Sequence, residues 1–281
     1  MIQGTVIRYG MRPIRRPTRL FAGILFLLLA AGDGTAETVP LPENGPPASL
    51  EDQETVEIVD GDTLVLATGK QVRLVGIQAP KLPLGRPGFE TWPLADESRD
   101  ALLRLAHGQR LALHFGGQRE DRYRRYLAHL TLPDGTWIQG TLLEEGLARV
   151  YSFHDNRALI PEMLALERRA RSQKRGIWNL SYYRIRNPSE TWNDIDSFQI
   201  VEGRVVDAAR VRNVVYLNFG PNWRTDFTFK IGKRALGLFS KAGIDPLTFT
   251  GRTVRGRGWV KPENGPLIEV THPEQLELLP E

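Results

Sequence analysis

Residues Val56–Lys81 read V-E-I-V-D-G-D-T-L-V-L-A-T-G-K-Q-V-R-L-V-G-I-Q-A-P-K, a run that two turns divide into three short strands. Val56 and Ile58, Leu64 and Leu66, and Val72 and Leu74 are each spaced by two, which gives every strand one apolar face to bury. Asp60-Gly61-Asp62 breaks the first run, and Thr68-Gly69-Lys70 supplies a hairpin turn before the third. On extended backbone Asp60 and Asp62 would project to the same side, and Arg73 follows on the returning strand. Two carboxylates near a guanidinium can hold a cation and a phosphate together. The same spacing also suits the polar rim of an ordinary hairpin, so these residues alone leave both readings open.

Further motifs narrow the choice. D-G-D-T at 60–63 is followed by R-L-x-G-I-x-A-P at 73–80, D-R-Y-R-R at 121–125, G-L-A-R-V-Y at 146–151 and G-I-W at 176–178. In this order they resemble the staphylococcal nuclease (thermonuclease) family over residues 54–185. The resemblance implies an α+β, mainly β fold: a five-stranded oligonucleotide-binding (OB) barrel with three helices. Periodicity supports strands and helices in that order without closing a barrel. Helical spacing runs from Asp96 to about Gly108, over Trp137–Glu145 and over Pro161–Ser172, and strands fit Arg110–Phe115 and Tyr126–Leu132.

The resemblance also implies site residues. Family members that hydrolyse nucleic acid hold one calcium ion beside a phosphodiester, with two acids on the metal, a glutamate serving the attacking water and two arginines on the phosphate. Asp62 matches the first metal-binding acid, Asp60 its neighbour, and Arg73 and Arg125 the two arginines. Tyr123 precedes the second of these, with Arg124 in place of the usual small residue between them. Two positions depart from the pattern. Where active members read I-D-x-P-E, this chain reads Ile77-Gln78-Ala79-Pro80-Lys81. Glutamine can ligate calcium but adds no charge, and affinity follows ligand charge. Lysine brings positive charge to the ion and, while protonated, accepts no hydrogen bond. Loss of one catalytic group commonly lowers a rate by about two to four powers of ten.

The expectation is therefore a weakened calcium site, with Arg73, Lys81, Arg125 and Tyr123 binding a phosphodiester or other anionic ligand directly, nucleic acid foremost. Three other outcomes stay open: a pocket kept only as scaffold, surviving calcium-dependent hydrolysis of DNA or RNA, and an envelope adaptor whose partner is another protein.

The rest of the chain frames this domain. Arg12, Arg15, Arg16 and Arg19 precede an apolar run from Leu20 to Gly32, and Gly34-Thr35-Ala36 offers small residues for cleavage. Residues 1–36 thus read as a secretory signal and the protein as periplasmic or secreted, with an uncleaved anchor as the alternative. The apolar run falls short of the ~20 residues of a membrane-spanning helix. Those 36 residues hold five arginines and one acid, against 37 basic and 33 acidic residues in the whole chain. The remainder is balanced, so the +4 net charge belongs to the leader and is no argument for a nucleic-acid partner. With no cysteine, disulfides and thiol chemistry are excluded.

Residues 37–53, rich in Pro, Glu and Gly, read as a flexible linker, and 186–197, polar and turn-rich, as a linker at a domain boundary. Five β segments with one short helix between the third and fourth make 198–281 a smaller OB-like barrel. Tyr216, Phe219, Trp223, Phe227, Phe229 and Trp259 divide between core and base-stacking roles, most of them core. Arg252, Arg255 and Arg257 suggest a basic stripe, and Gly256 and Gly258 a bulge or close backbone approach. The basic run Arg168–Arg175 reads as a solvated helix end. The five histidines show no metal spacing and read as isolated surface or strand residues.

Overall fold

The computed structural model describes Met1 and residues 38–280; the expected signal segment lies outside the described residues. Five strands close the first barrel: β1 (Ala48–Asp60), β2 (Thr63–Leu66), β3 (Gln71–Leu74), β5 (Arg110–His114) and β6 (Tyr126–Thr131), in the order β1-β2-β3-β6-β5. A two-residue pair, β4 (Ile77–Gln78) and β7 (Arg149–Val150), lies beside it. Helices α1 (Ala95–Ala106), α2 (Ile138–Glu144) and α3 (Ile160–Ser172) cover the barrel. Leu64, Leu74, Leu111, Leu113 and Leu130 fill its core with Trp137 and Ile138.

Two details differ from the sequence reading. Val56, expected inward, is 47% exposed while Thr55 is buried. Register shifts between Thr55 and Glu57 and between Ile58 and Asp60 reset the alternation twice within β1. Residues 48–53, expected in a flexible linker, are instead the first half of β1 and pair with β5. Upstream of them, the Trp137 N–H donates to the Val39 carbonyl (2.6 Å), which holds that segment against the barrel.

A second core of Val201, Val215, Leu217, Phe229, Ile231, Val254 and Ile268 lies inside a seven-stranded sheet. Its strands are β8 (Phe198–Arg204), β9 (Asp207–Val211), β10 (Val214–Asn218), β11 (Thr228–Ile231), β12 (Thr253–Pro262), β13 (Pro266–Val270) and β14 (Leu276–Leu278), with α4 (Lys233–Lys241) between β11 and β12. Two of these, β9 and β14, go beyond the five expected segments. Gly256 and Gly258 do mark close approaches: a Cβ would stand 2.2 Å from Phe229 Cζ at the first and 2.5 Å from Ile268 Cγ2 at the second.

Residues Glu37–Glu281 form one compact unit around both cores. Segment 186–197 is an ordered strap rather than a loose linker. The Arg186 N–H donates to the Ile200 carbonyl (2.8 Å), and Asn187 and Glu190 cap a 3-10 turn over Pro188–Asp194. Arg257, expected in a surface stripe, is buried and donates to Glu167 Oε2 (2.9 Å) and Glu277 Oε1 (2.8 Å). Glu167 also accepts the Val150 N–H (2.7 Å). The ion pair thereby ties β12 to α3 and β7, and its several hydrogen bonds meet the cost of burying charge. Around it the basic run on α3 is paired rather than free: Arg169 and Arg175 with Glu144, Arg171 with Glu167, and Arg168 with Glu277. Among the described residues no helix is long and apolar enough to cross a membrane.

Candidate nucleic-acid site

The turn from β1 to β2 sets the acidic pair. Gly61 leaves no room for a side chain, because a Cβ there would stand 2.7 Å from both Ala79 and Ser98. The turn can therefore press against α1 and the β4 loop. Asp60 Oδ1 accepts the Asp62 N–H (3.0 Å), and Asp62 Oδ2 accepts the Ala79 N–H (2.7 Å). Both carboxylates are buried.

Lys81 Nζ stands 2.7 Å from each carboxylate oxygen of Asp62 and 3.2 Å from Asp60 Oδ2. Arg73 Nη1 reaches Asp62 Oδ1 from another side (2.7 Å), while its Nη2 donates to the Ile77 carbonyl (2.9 Å). Burial opposes charge on Asp62, but Arg73 and Lys81 together hold its carboxyl well below the usual carboxylate range. Asp60 moves the other way: burial and the neighbouring Asp62 raise it, with Lys81 and Arg73 offsetting part of the rise.

Gln78, in the place of the second acid, does not face the pair. The β4–β7 register sets it opposite Arg149, whose Nε and Nη2 donate to Gln78 Oε1 at 2.9 and 2.7 Å. Arg149 is buried near the rings of Phe198, Trp92 and Tyr183, at 4.7, 5.8 and 5.9 Å from their centroids. Burial pushes its guanidinium down to about 10, so it stays charged at neutral pH.

These donors do not fit calcium. The oxygen that Gln78 could offer faces a guanidinium, and an ammonium sits where the carboxylates would meet the ion. Among the described residues no group of three or more acids, histidines or cysteines is arranged to hold a metal. In this structure Asp60 and Asp62, which the resemblance assigns to a metal, hold the side chain of Lys81.

A cavity of about 510 Å3 opens beside this cluster, lined by Arg73, Arg125, Tyr123, Asp121, Tyr151 and Phe153 among others. Lys81 is not among its lining residues, and its hydrogen bonds go to the two acids. Asp121 is part of the lining. Its Oδ1 accepts the Tyr123 and Arg125 N–H groups (2.9 and 3.0 Å), and its Oδ2 accepts Arg125 Nε (2.8 Å). Arg124 adopts φ 65°, a left-handed conformation that favours glycine. Tyr123 is left 65% exposed at the rim.

Sequence reading passed over Asp121, Arg149, Tyr151 and Phe153 as site residues. Arg149 and Tyr151 sit in the quoted G-L-A-R-V-Y motif, so their positions were visible. Their roles were not, because these depend on pairing β7 with β4 and on the fold of the loop that follows.

Comparison with known proteins identifies the family. The model of the staphylococcal nuclease homologue family matches residues 71–180. "Endonuclease YncB" of Bacillus subtilis (strain 168) is 34% identical over 149 residues, which cover 50% of this chain and 69% of that protein. The chain belongs to the staphylococcal nuclease homologue family. The "Thermonuclease" of Staphylococcus hyicus is 27% identical over 47% of this chain and 78% of its own length. A rice homologue, "Probable staphylococcal-like nuclease CAN1", is 31% identical, and the match spans only 33% of it. As a member of a nuclease family the chain is, in general terms, a nucleic-acid protein.

Proposed function

We propose that this protein is exported and binds the phosphodiester backbone of nucleic acid without calcium and without appreciable hydrolysis. The observation that carries the proposal is the Lys81 ammonium, 2.7 Å from both oxygens of Asp62. A cation built into the chain neutralises the pair that would otherwise recruit one. No carboxylate stands at position 81 to serve a water molecule. A phosphate entering the cavity meets Arg73 and Arg125, with Tyr123 at the rim, and charge-assisted bonds from guanidinium groups suit its oxygens. Tyr151 and Phe153 offer rings to a neighbouring base. Trp259 of the second domain, 46% exposed, donates from Nε1 to the Tyr151 hydroxyl (2.9 Å) and continues the aromatic surface. The charged, apolar and small-residue order of the first 36 residues supports export.

Fluorescence anisotropy with a labelled single-stranded oligonucleotide in chelator tests the binding. Arg125→Ala is expected to weaken affinity about tenfold, the order of one charge-assisted hydrogen bond. It should also reduce the salt slope by about one phosphate contact. Chelator-sensitive cleavage that vanishes in Asp62→Ala would instead establish an active calcium nuclease. Neither binding nor cleavage would leave the protein adaptor. Export is tested separately by fractionating cells that express the tagged full chain; retention in the cytoplasm would refute that part.

A further inference from the structure

The second domain carries a cavity of its own, of about 430 Å3, far along the chain from the nuclease motifs. Strand register explains its lining. Asp207 pairs with Asn218, Asn218 with Thr228 and Thr228 with Leu267, one row across β9, β10, β11 and β13. Tyr216 lies in the next row, opposite Ala209 and Lys230. The alternating residues Val215, Leu217, Phe229 and Ile268 belong to the core. Both rows therefore lie on the other face of the sheet. Trp223, 50% exposed, and Glu263 complete the wall.

The polar groups form a mixed donor and acceptor set. Thr228 Oγ1 donates to Asn218 Oδ1 (3.2 Å), and Asn218 Nδ2 makes one long contact to Asp207 Oδ2 (3.4 Å), which leaves acceptor capacity on the carboxylate. Charge favours no ionic ligand class. Asp207 opposes a polyanion, while Glu263 is paired with Lys230. A cationic ligand fares little better: Lys230 already pairs with Glu263, and the Arg224 guanidinium lies 4.4 Å from the Trp223 ring centroid. What remains is a neutral, polyhydroxylated molecule. Its hydroxyls can donate to Asp207 and exchange hydrogen bonds with Asn218 and Thr228, while a pyranose C–H face packs on an aromatic ring. The cavity falls in the ~300–1,000 Å3 range of small-ligand sites.

We propose that this face of the second domain binds a neutral oligosaccharide, independently of the nucleic-acid site. The test is a titration of the full chain with cellotetraose and, separately, chitotetraose, followed by calorimetry and tryptophan fluorescence. Saturable binding of at least one sugar is expected, weakened about tenfold in Trp223→Ala and in Asp207→Asn, with much of it kept in Trp223→Phe. Oligonucleotide affinity should be unchanged in all three variants, which also shows that they are folded. No saturable binding of either sugar at millimolar concentration would overturn the proposal. So would sugar affinity indifferent to both Trp223→Ala and Asp207→Asn, or binding of tetramethylammonium in place of sugar.

Discussion

Replacing Lys81 with methionine is expected to destabilise the protein by about 3 kcal/mol in chelator and to make its melting temperature respond to calcium. Methionine keeps much of the length and apolar stem of lysine but removes the ammonium that bridges Asp60 and Asp62. Breaking a buried ion pair from one side commonly costs about 3–5 kcal/mol, because it strands the other charge. The lower end applies here because Arg73 still reaches Asp62 Oδ1 (2.7 Å). Asp60 is affected directly, since it loses its ion pair with Lys81 (3.2 Å). Calcium can then enter where the ammonium was. A ligand that binds only the folded state stabilises it by mass action, by about 2.7 kcal/mol at a hundredfold excess over its dissociation constant. Thermal unfolding of parent and variant, each with chelator and with millimolar calcium, provides the measurement. An equal calcium shift in both proteins, or a variant as stable as the parent without calcium, would show that Lys81 is not the resident cation. Adding Gln78→Asp need not complete a metal site, because Arg149 lies within hydrogen-bond distance of that side chain and would compete for the new carboxylate.

The sequence made the presence of Lys81 in this cluster legible, but not what it does there. The motif places residue 81 next to the acids through family likeness. Whether its ammonium points at a ligand or at Asp62 depends on side-chain geometry that no local pattern encodes. Strand and helix order was readable because each element of the first barrel carries its own period and its own turn. Val56 misled because a bulge moves the buried face without changing residue composition. Strands β9 and β14 escaped notice for a different reason: one is short and mostly exposed with two alanines in place of large apolar residues, the other three residues long. Arg257 looked like surface charge because its partner Glu167 lies 90 positions away in the chain. Buried pairs of that kind are fixed by tertiary packing alone.

Two histidines that carry no functional assignment should make the protein labile to mild acid. His129 is buried inside the first barrel, edge-on to Trp137, and burial together with nearby His114 pushes its imidazole down to about 3. His272, expected among isolated surface or strand residues, is also buried; it links the turn after β13 to the segment after β7 through a 2.8 Å hydrogen bond between Nε2 and the Ser152 hydroxyl, and burial pushes it down to about 4. Both folded-state values lie below the ordinary 6.5, so the fold favours the neutral ring and the unfolded chain takes the proton first. Above that ordinary value neither ring affects stability. As pH falls below it, each ring removes about 1.4 kcal/mol per pH unit until its own folded value is reached. At pH 4.5 the pair together removes about 5 kcal/mol, a large share of the ~5–15 kcal/mol that holds an ordinary domain. The acids act in other windows. Asp62, depressed, costs stability only as pH falls through the lower carboxylate range, while Asp60, raised, gives a little back as it takes up its proton. Denaturant unfolding at pH 7, 5.5 and 4.5 measures the slope, and His129→Gln and His272→Gln should each remove about half of it. A slope unchanged in both variants would place the acid sensitivity in other groups and refute the assignment.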